Sequence, residues 1–203
     1  MSWNVPAGWV LTPLYQRLDA VRTTVRPEQI RPDDIYVGLE HVTSVTGEYM
    51  GVPATEAGIK SGKFRFEPGD ILYGKLRPNL RKCVVVQESG VCSTDLMPLR
   101  PFDPEAASLL ALQLRSESLT EAVMRMISGA NLPRINVKDL LGLEVPVPSA
   151  ADRLRVQEAA KRVTRVRASL RALEVSIADL EAASTALALG QLVDETALPA
   201  RVG

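Results

Sequence analysis

The sequence predicts an α+β domain built on a mixed or mainly antiparallel sheet, followed by one long helix. Two observations predict it. Residues 1–148 hold thirteen of the chain's fourteen prolines and most of its β-rich runs, whereas residues 152–189 hold no proline and no glycine. A change of that kind marks a boundary between turn-rich and uninterrupted helical chain. The reading divides the protein into a domain over 1–148, a helix over 149–190 and a flexible C-terminal tail over 191–203.

In the first part, apolar and β-branched runs occupy Ile35–Leu39, Lys63–Phe66, Asp70–Tyr73, Lys82–Gln87 and Asp95–Leu99. Thr46-Gly47, Pro68-Gly69 and Ser89-Gly90 separate them as turn formers, the signature of strands. Pro104–Ile127 breaks this pattern. It lacks proline after position 104 and lacks glycine, and it spaces Leu109, Leu112, Leu119, Val123 and Met126 by helical steps. One or two helices are expected there, with Asp103 as N-cap and Pro104 in the first turn.

In the second part, Val156, Ala159, Val163, Val166, Leu170, Leu173, Ile177, Leu180, Ser184 and Leu187 alternate steps of three and four. This is a heptad seam, interrupted only by Ser184. At 1.5 Å per residue the helix would be about 55 Å long, too long for a domain of this size to cover. Charge suggests the partner. Arg153–Arg171 carries seven cations and one anion, Glu158, while Glu174, Asp179 and Glu181 follow. Two copies in parallel would place like charge on like; two antiparallel copies place basic on acidic. The expected pairing is an antiparallel homodimer through Val156, Val163, Val166, Leu170, Leu173, Ile177 and Leu180. The alternative is that the helix folds back on its own domain.

Bulk properties exclude several classes. The chain has 203 residues, a formal net charge of zero and two cysteines, Cys83 and Cys92. No zinc spacing or disulfide framework is present, so reduced thiols are expected. No signal peptide and no membrane span are legible, which suggests a soluble cytoplasmic protein.

Catalytic and cofactor motifs are also missing. Gly69-Asp-Ile-Leu-Tyr-Gly-Lys75 matches the start of a phosphate-binding loop, but Leu76 stands where Ser or Thr would hold magnesium. Pro78 follows too closely for a long helix to begin there. No glycine-rich methyl-donor loop, no Asn/Asp-Pro-Pro-aromatic loop and no metal-binding carboxylate cluster appears. His41 is the only histidine, and it reads as structural rather than catalytic. No catalytic residue, metal or cofactor is expected.

Two segments point to nucleic acid. Lys60–Lys82 carries seven cations (Lys60, Lys63, Arg65, Lys75, Arg77, Arg81, Lys82) against Glu67 and Asp70, a local net of +5 in a neutral chain. Cations at that density suit phosphate contacts. Asn79 joins them on a proline-stiffened loop, and Arg and Asn are shaped to read guanine and adenine edges. The second segment, Ser128–Asn136, again offers Asn131 and Arg134 on a loop with Gly129 and Pro133. Lys60, Lys63, Lys75, Arg77, Asn79, Arg81, Lys82, Asn131 and Arg134 are therefore the candidate DNA contacts.

Six stretches occur in an order that resembles the specificity subunit of type I restriction-modification enzymes. They are Val5-Pro-Ala-Gly-Trp9, Tyr36-Val-Gly-Leu-Glu-His-Val42, Gly69-Asp-Ile-Leu-Tyr-Gly-Lys-Leu-Arg-Pro78, Cys92-Ser-Thr-Asp-Leu96, Ser128-Gly-Ala-Asn-Leu-Pro-Arg-Ile-Asn136 and Leu143-Glu-Val-Pro-Val-Pro148. The long helix follows them, as in that family. The chain departs at Ser149-Ala-Ala-Asp-Arg153, where the family commonly opens its helix with Glu-Gln. The resemblance implies a half-length member with one target recognition domain and no catalysis of its own. It implies double-stranded DNA and a methyltransferase (modification) subunit as partners, with a restriction subunit able to join, and a homodimer that restores two domains and two helices. A stand-alone DNA-binding regulator and a coiled-coil adapter are the alternative functions.

Overall fold

The computed structural model describes residues 3–127 and 133–188. Eleven strands are β1 (Val10–Pro13), β2 (Leu18–Ala20), β3 (Thr24–Val25), β4 (Ile35–Val37), β5 (Val52–Pro53), β6 (Lys63–Phe66), β7 (Ile71–Gly74), β8 (Cys83–Val85), β9 (Gly90–Cys92), β10 (Leu96–Pro101) and β11 (Glu144–Val147). Helices are α1 (Ala107–Leu114), α2 (Glu117–Met126), α3 (Val137–Leu141) and α4 (Arg153–Ala188). The chain divides into two compact units, Met1–Thr164 and Arg165–Gly203.

In the first unit the strands form a ribbon β1-β11, a sheet β2-β10-β7-β8 and a sheet β3-β6-β9-β4-β5. All pairings among the described strands are antiparallel except β4 with β9. The expected α+β class with a mixed sheet is therefore what forms. Strand alternation builds the layers. Ile71, Tyr73, Cys83, Met97 and Leu99 point into a core with Leu110, Leu114, Leu119 and Val123 of α1 and α2. Leu72, Val84 and Leu96, the alternate positions, point into a second core with Val37, Phe66 and Cys92 of the larger sheet. Strands β7, β8 and β10 are thus buried on both faces over most of their length, which is why they read as apolar runs. The parallel pair is closely spaced: a Cβ on Gly90 would lie 2.3 Å from the Ile35 carbonyl oxygen.

The helical stretch after Asp103 breaks in two. Asp103 accepts from the Glu105 amide at 3.1 Å, as an N-cap does. The Ser116 hydroxyl then caps α2 by accepting from the Leu119 amide at 3.2 Å. Strands β1, β2, β3, β5, β9 and β11 were not legible in the sequence. They have two to four residues each, and proline sits in β1, β5 and β11, where sheet edges tolerate it.

Arg65 is withdrawn from the basic stretch. Its guanidinium donates to both Asp34 oxygens, at 2.9 and 3.0 Å, and Asp34 is buried. Burial works to raise the Asp34 pKa, but the Arg65 hydrogen bonds prevail and hold it below the usual carboxylate range. Removing one partner of a buried pair leaves an uncompensated charge. Arg65→Ala should cost about 3–5 kcal/mol of stability, read as a lower denaturant midpoint at unchanged slope. A loss within experimental error would mean that water reaches Asp34.

The helix α4 begins at Arg153. The Arg153 amide donates to the Ser149 carbonyl at 3.0 Å and the Val156 amide to the Asp152 carbonyl at 2.9 Å. The Asp152 carboxylate takes the Trp9 indole N–H and the Ser149 hydroxyl, each at 3.0 Å, so a residue near the N-terminus is tied to the helix start. These bonds hold its pKa below the ordinary value. The first turns pack on the first unit: Gln157 and Ala160 are buried, and Gln157 and Arg153 both donate to Asp103 at 3.0 Å. In the second unit the seam is bare in the single chain. Val166, Leu170, Leu173, Ile177 and Leu180 are 55–70% exposed. No helix among the described residues is long and apolar enough to cross a membrane.

Candidate nucleic-acid interface

Strand direction gathers the cations. Strands β4 and β9 run parallel, so Val37 and Cys92 end at the same side. Phe64, near the start of β6, pairs with Cys92. In the smaller sheet the end of β7 meets the starts of β8 and β10, with Tyr73 opposite Cys83 and Gly74 opposite Leu96. Lys75 bridges the sheets, its Nζ lying 5.3 Å from the centre of the Phe64 ring. Lys63, Lys75, Arg77, Lys82 and Arg134 therefore share one edge of the domain.

The two loops singled out in the sequence are joined there by backbone bonds. The Arg77 amide donates to the Pro133 carbonyl at 2.8 Å, and the Ile135 amide to the Lys75 carbonyl at 3.1 Å. Leu76 and Arg134 form a β-bridge. Between them Pro78–Leu80 makes one 3₁₀ turn, flanked by Arg77 and Arg81 at φ 51° and 52°. Left-handed backbone at non-glycine residues costs of order 1 kcal/mol each and persists only where surroundings enforce it. The turn displays Arg77 and Asn79 to solvent, with Arg81 half-buried.

Local partners sort the candidates. Lys82 donates to the Leu39 carbonyl at 2.8 Å, and Lys63 to the Ser61 carbonyl and hydroxyl at 3.1 and 2.8 Å. Burial pushes the Lys75 ammonium pKa down and the neighbouring Arg134 charge adds to it, while Asp95 pulls the other way. Exposed Arg134 pairs with Asp95. Lys60 instead lines a cavity of about 420 Å³ with Pro27, Ile30, Arg31 and Ile59. Asn131 lies outside the described residues, as does the 191–203 tail.

Sequence reasoning missed Asp95. Its carboxylate holds Arg134 and its carbonyl accepts from the Lys75 amide at 2.8 Å, so it orders both loops. It stood inside Cys92-Ser-Thr-Asp-Leu96, but nothing local shows that a chain neighbour of β9 meets residue 134. Tyr36 opens the stretch Tyr36-Val-Gly-Leu-Glu-His-Val42. Its phenol hydrogen-bonds Ser93, and burial raises its pKa. His41 is structural: Nδ1 accepts from the Gly38 amide at 3.0 Å, and its ring sits edge-on to Tyr36. Gly69–Lys75 forms a turn and strand β7, with Asp70 buried against Arg100 at 2.7 Å. Both cysteines are buried and unpaired; burial pushes the Cys83 thiol up to about 12 and raises Cys92 as well.

No family model matches the chain. Over 146 residues it is 30% identical to the type I restriction enzyme EcoDI specificity subunit of Escherichia coli, spanning 71% of this chain and 32% of that protein. The crystal structure of the HsdS subunit from Thermoanaerobacter tengcongensis superposes with a TM-score of 0.60 at 18% identity, over 99% of this chain and 53% of that one. A chain from a structure describing complex assembly and conformational transition of the type I R-M system gives 0.59 at 20% identity, over 100% and 52%. The chain thus spans about half the solved chains and about a third of the curated relative. The two solved structures show the shared fold, and the sequence match carries the relationship. The chain belongs to the family of type I restriction-enzyme specificity subunits.

Proposed function

We propose that this chain reads one half of a split DNA target and scaffolds the methyltransferase subunits of a type I restriction-modification system, with no catalysis or cofactor of its own. The observation that carries the reading is the cationic edge. Five cations from four separate segments converge on one side, and two loops are locked together by backbone bonds so that Arg77, Asn79 and Arg134 face outward. Lysines supply charge for phosphates, while an Arg held in place offers a fork for a base edge.

The modification subunit is the expected protein partner, and a restriction subunit can join the assembly. A second copy of the chain pairs antiparallel along α4, restoring two domains and two helices. The site read would then consist of inverted halves, as two-fold symmetry requires. The reading places the protein in the cytoplasm with the DNA.

Salt dependence tests it. Each phosphate contact contributes about 0.9 to the slope of log affinity against log salt, so four or five contacts should give a slope near −4. Fluorescence anisotropy of a labelled duplex between 50 and 300 mM potassium chloride, on the order of the range where counterion release is measured, reads the slope directly. Affinity too weak to measure, or a slope near zero, would remove this edge from the DNA. Co-purification with a modification subunit separates the proposed role from that of a lone regulator.

A further inference from the structure

The seam of α4 is symmetric about one point, and its charge is complementary across that point, basic before it and acidic after it. We infer that the chain docks on a second copy of itself in a single register, with the two-fold axis between Arg171 and Ala172. This rests on the second-copy reading of α4 above and fixes what that reading leaves open.

Seam positions alternate steps of three and four, so Val163, Leu170 and Ile177 are a positions and Val166, Leu173 and Leu180 are d positions. In an antiparallel pair each a faces a d of the other helix. With the axis at 171/172, Leu170 faces Leu173, Val166 faces Ile177 and Val163 faces Leu180, all six filled by branched apolar side chains. Sliding one helix by a heptad breaks this. One way it sets Val166 opposite Ser184 and the two Glu174 side chains together; the other way it sets Ile177 opposite Ala159 and the two Arg167 side chains together.

The flanking charges choose the same register. Arg167 and Glu174 both follow a d position, and in an antiparallel pair such positions face each other. The axis at 171/172 brings Arg167 of each helix beside Glu174 of the other, twice by symmetry. In a parallel pair the flanking rule would instead bring Arg162 of each helix onto Arg167 of the other. Within one chain Glu174 pairs with exposed Arg171, three residues away at 3.4 Å. Such a pair is weak and leaves the carboxylate open to a stronger one.

Charge swaps test the register by light scattering. Arg167→Glu alone and Glu174→Arg alone each replace two attractions by two repulsions, and each should weaken the dimer about thirtyfold. Carrying both swaps in one chain should restore the dimer. Mixing the two single variants should give a heterodimer, because each chain then offers what the other lacks. Changes within one helix cannot be rescued from another, so this last result isolates contact between chains. Circular dichroism checks that the helix persists. A wild-type monomer overturns both the second-copy reading and the register. A dimer indifferent to the single swaps, or a mixture that fails to associate, overturns the register alone.

Discussion

Charge reversal at Arg77 and Arg134 together, as Arg77→Glu with Arg134→Glu, should abolish duplex binding while leaving the mass of the protein in solution unchanged. The size follows from two effects. Each arginine lost from a base edge removes about 1–3 kcal/mol of binding, and each new carboxylate repels the phosphates beside it. The combined loss is at least about a thousandfold. Both side chains are exposed and neither belongs to the α4 seam, so fold and pairing should survive. Arg134 differs from Arg77 in one respect: it is held by Asp95, and a glutamate there would face a carboxylate. Arg134→Gln keeps a neutral donor toward Asp95, and it should lose affinity without disturbing the loop. Binding unchanged in the double variant would take these loops out of the interface.

The second large effect lies in the helix. Leu173→Glu with Ile177→Glu should convert a dimer of nearly twice 22.1 kDa into a monomer. Burying one leucine or isoleucine stabilises by about 1.5–3 kcal/mol, and a symmetric pair loses four such side chains at once. Each is replaced by a charge that would have to be desolvated in the seam. Both residues are more than half exposed in the single chain, so the monomer should keep its fold and its helix content. Light scattering distinguishes the outcomes. A wild-type monomer would mean that the seam serves a different protein.

What the sequence made legible follows from where the physics is local. The long helix was legible because proline, glycine and the heptad act within a few positions. The break at Ser116 needed only a capping hydroxyl. Strands β4, β6, β7, β8 and β10 were legible because they are apolar, aromatic or β-branched runs between turns. The six other strands were not, since pairings such as Val10 with Val147 join residues far apart in the chain. The candidate site divides in the same way. Arg77 and Arg134 were visible as cations on stiff loops, but the bonds that join their loops were not. Arg65 shows the opposite failure. It counted as an available cation in the sequence and is taken up by Asp34, thirty-one residues away.

The most direct test of DNA reading is selection from a pool of random duplexes by the wild-type chain, followed by sequencing of what is retained. Half-site reading by each copy predicts enrichment of one sequence in two inverted copies at a fixed separation, lost when Arg77 and Arg134 are reversed. Retention of DNA without any enriched sequence, or no retention at all, would contradict it.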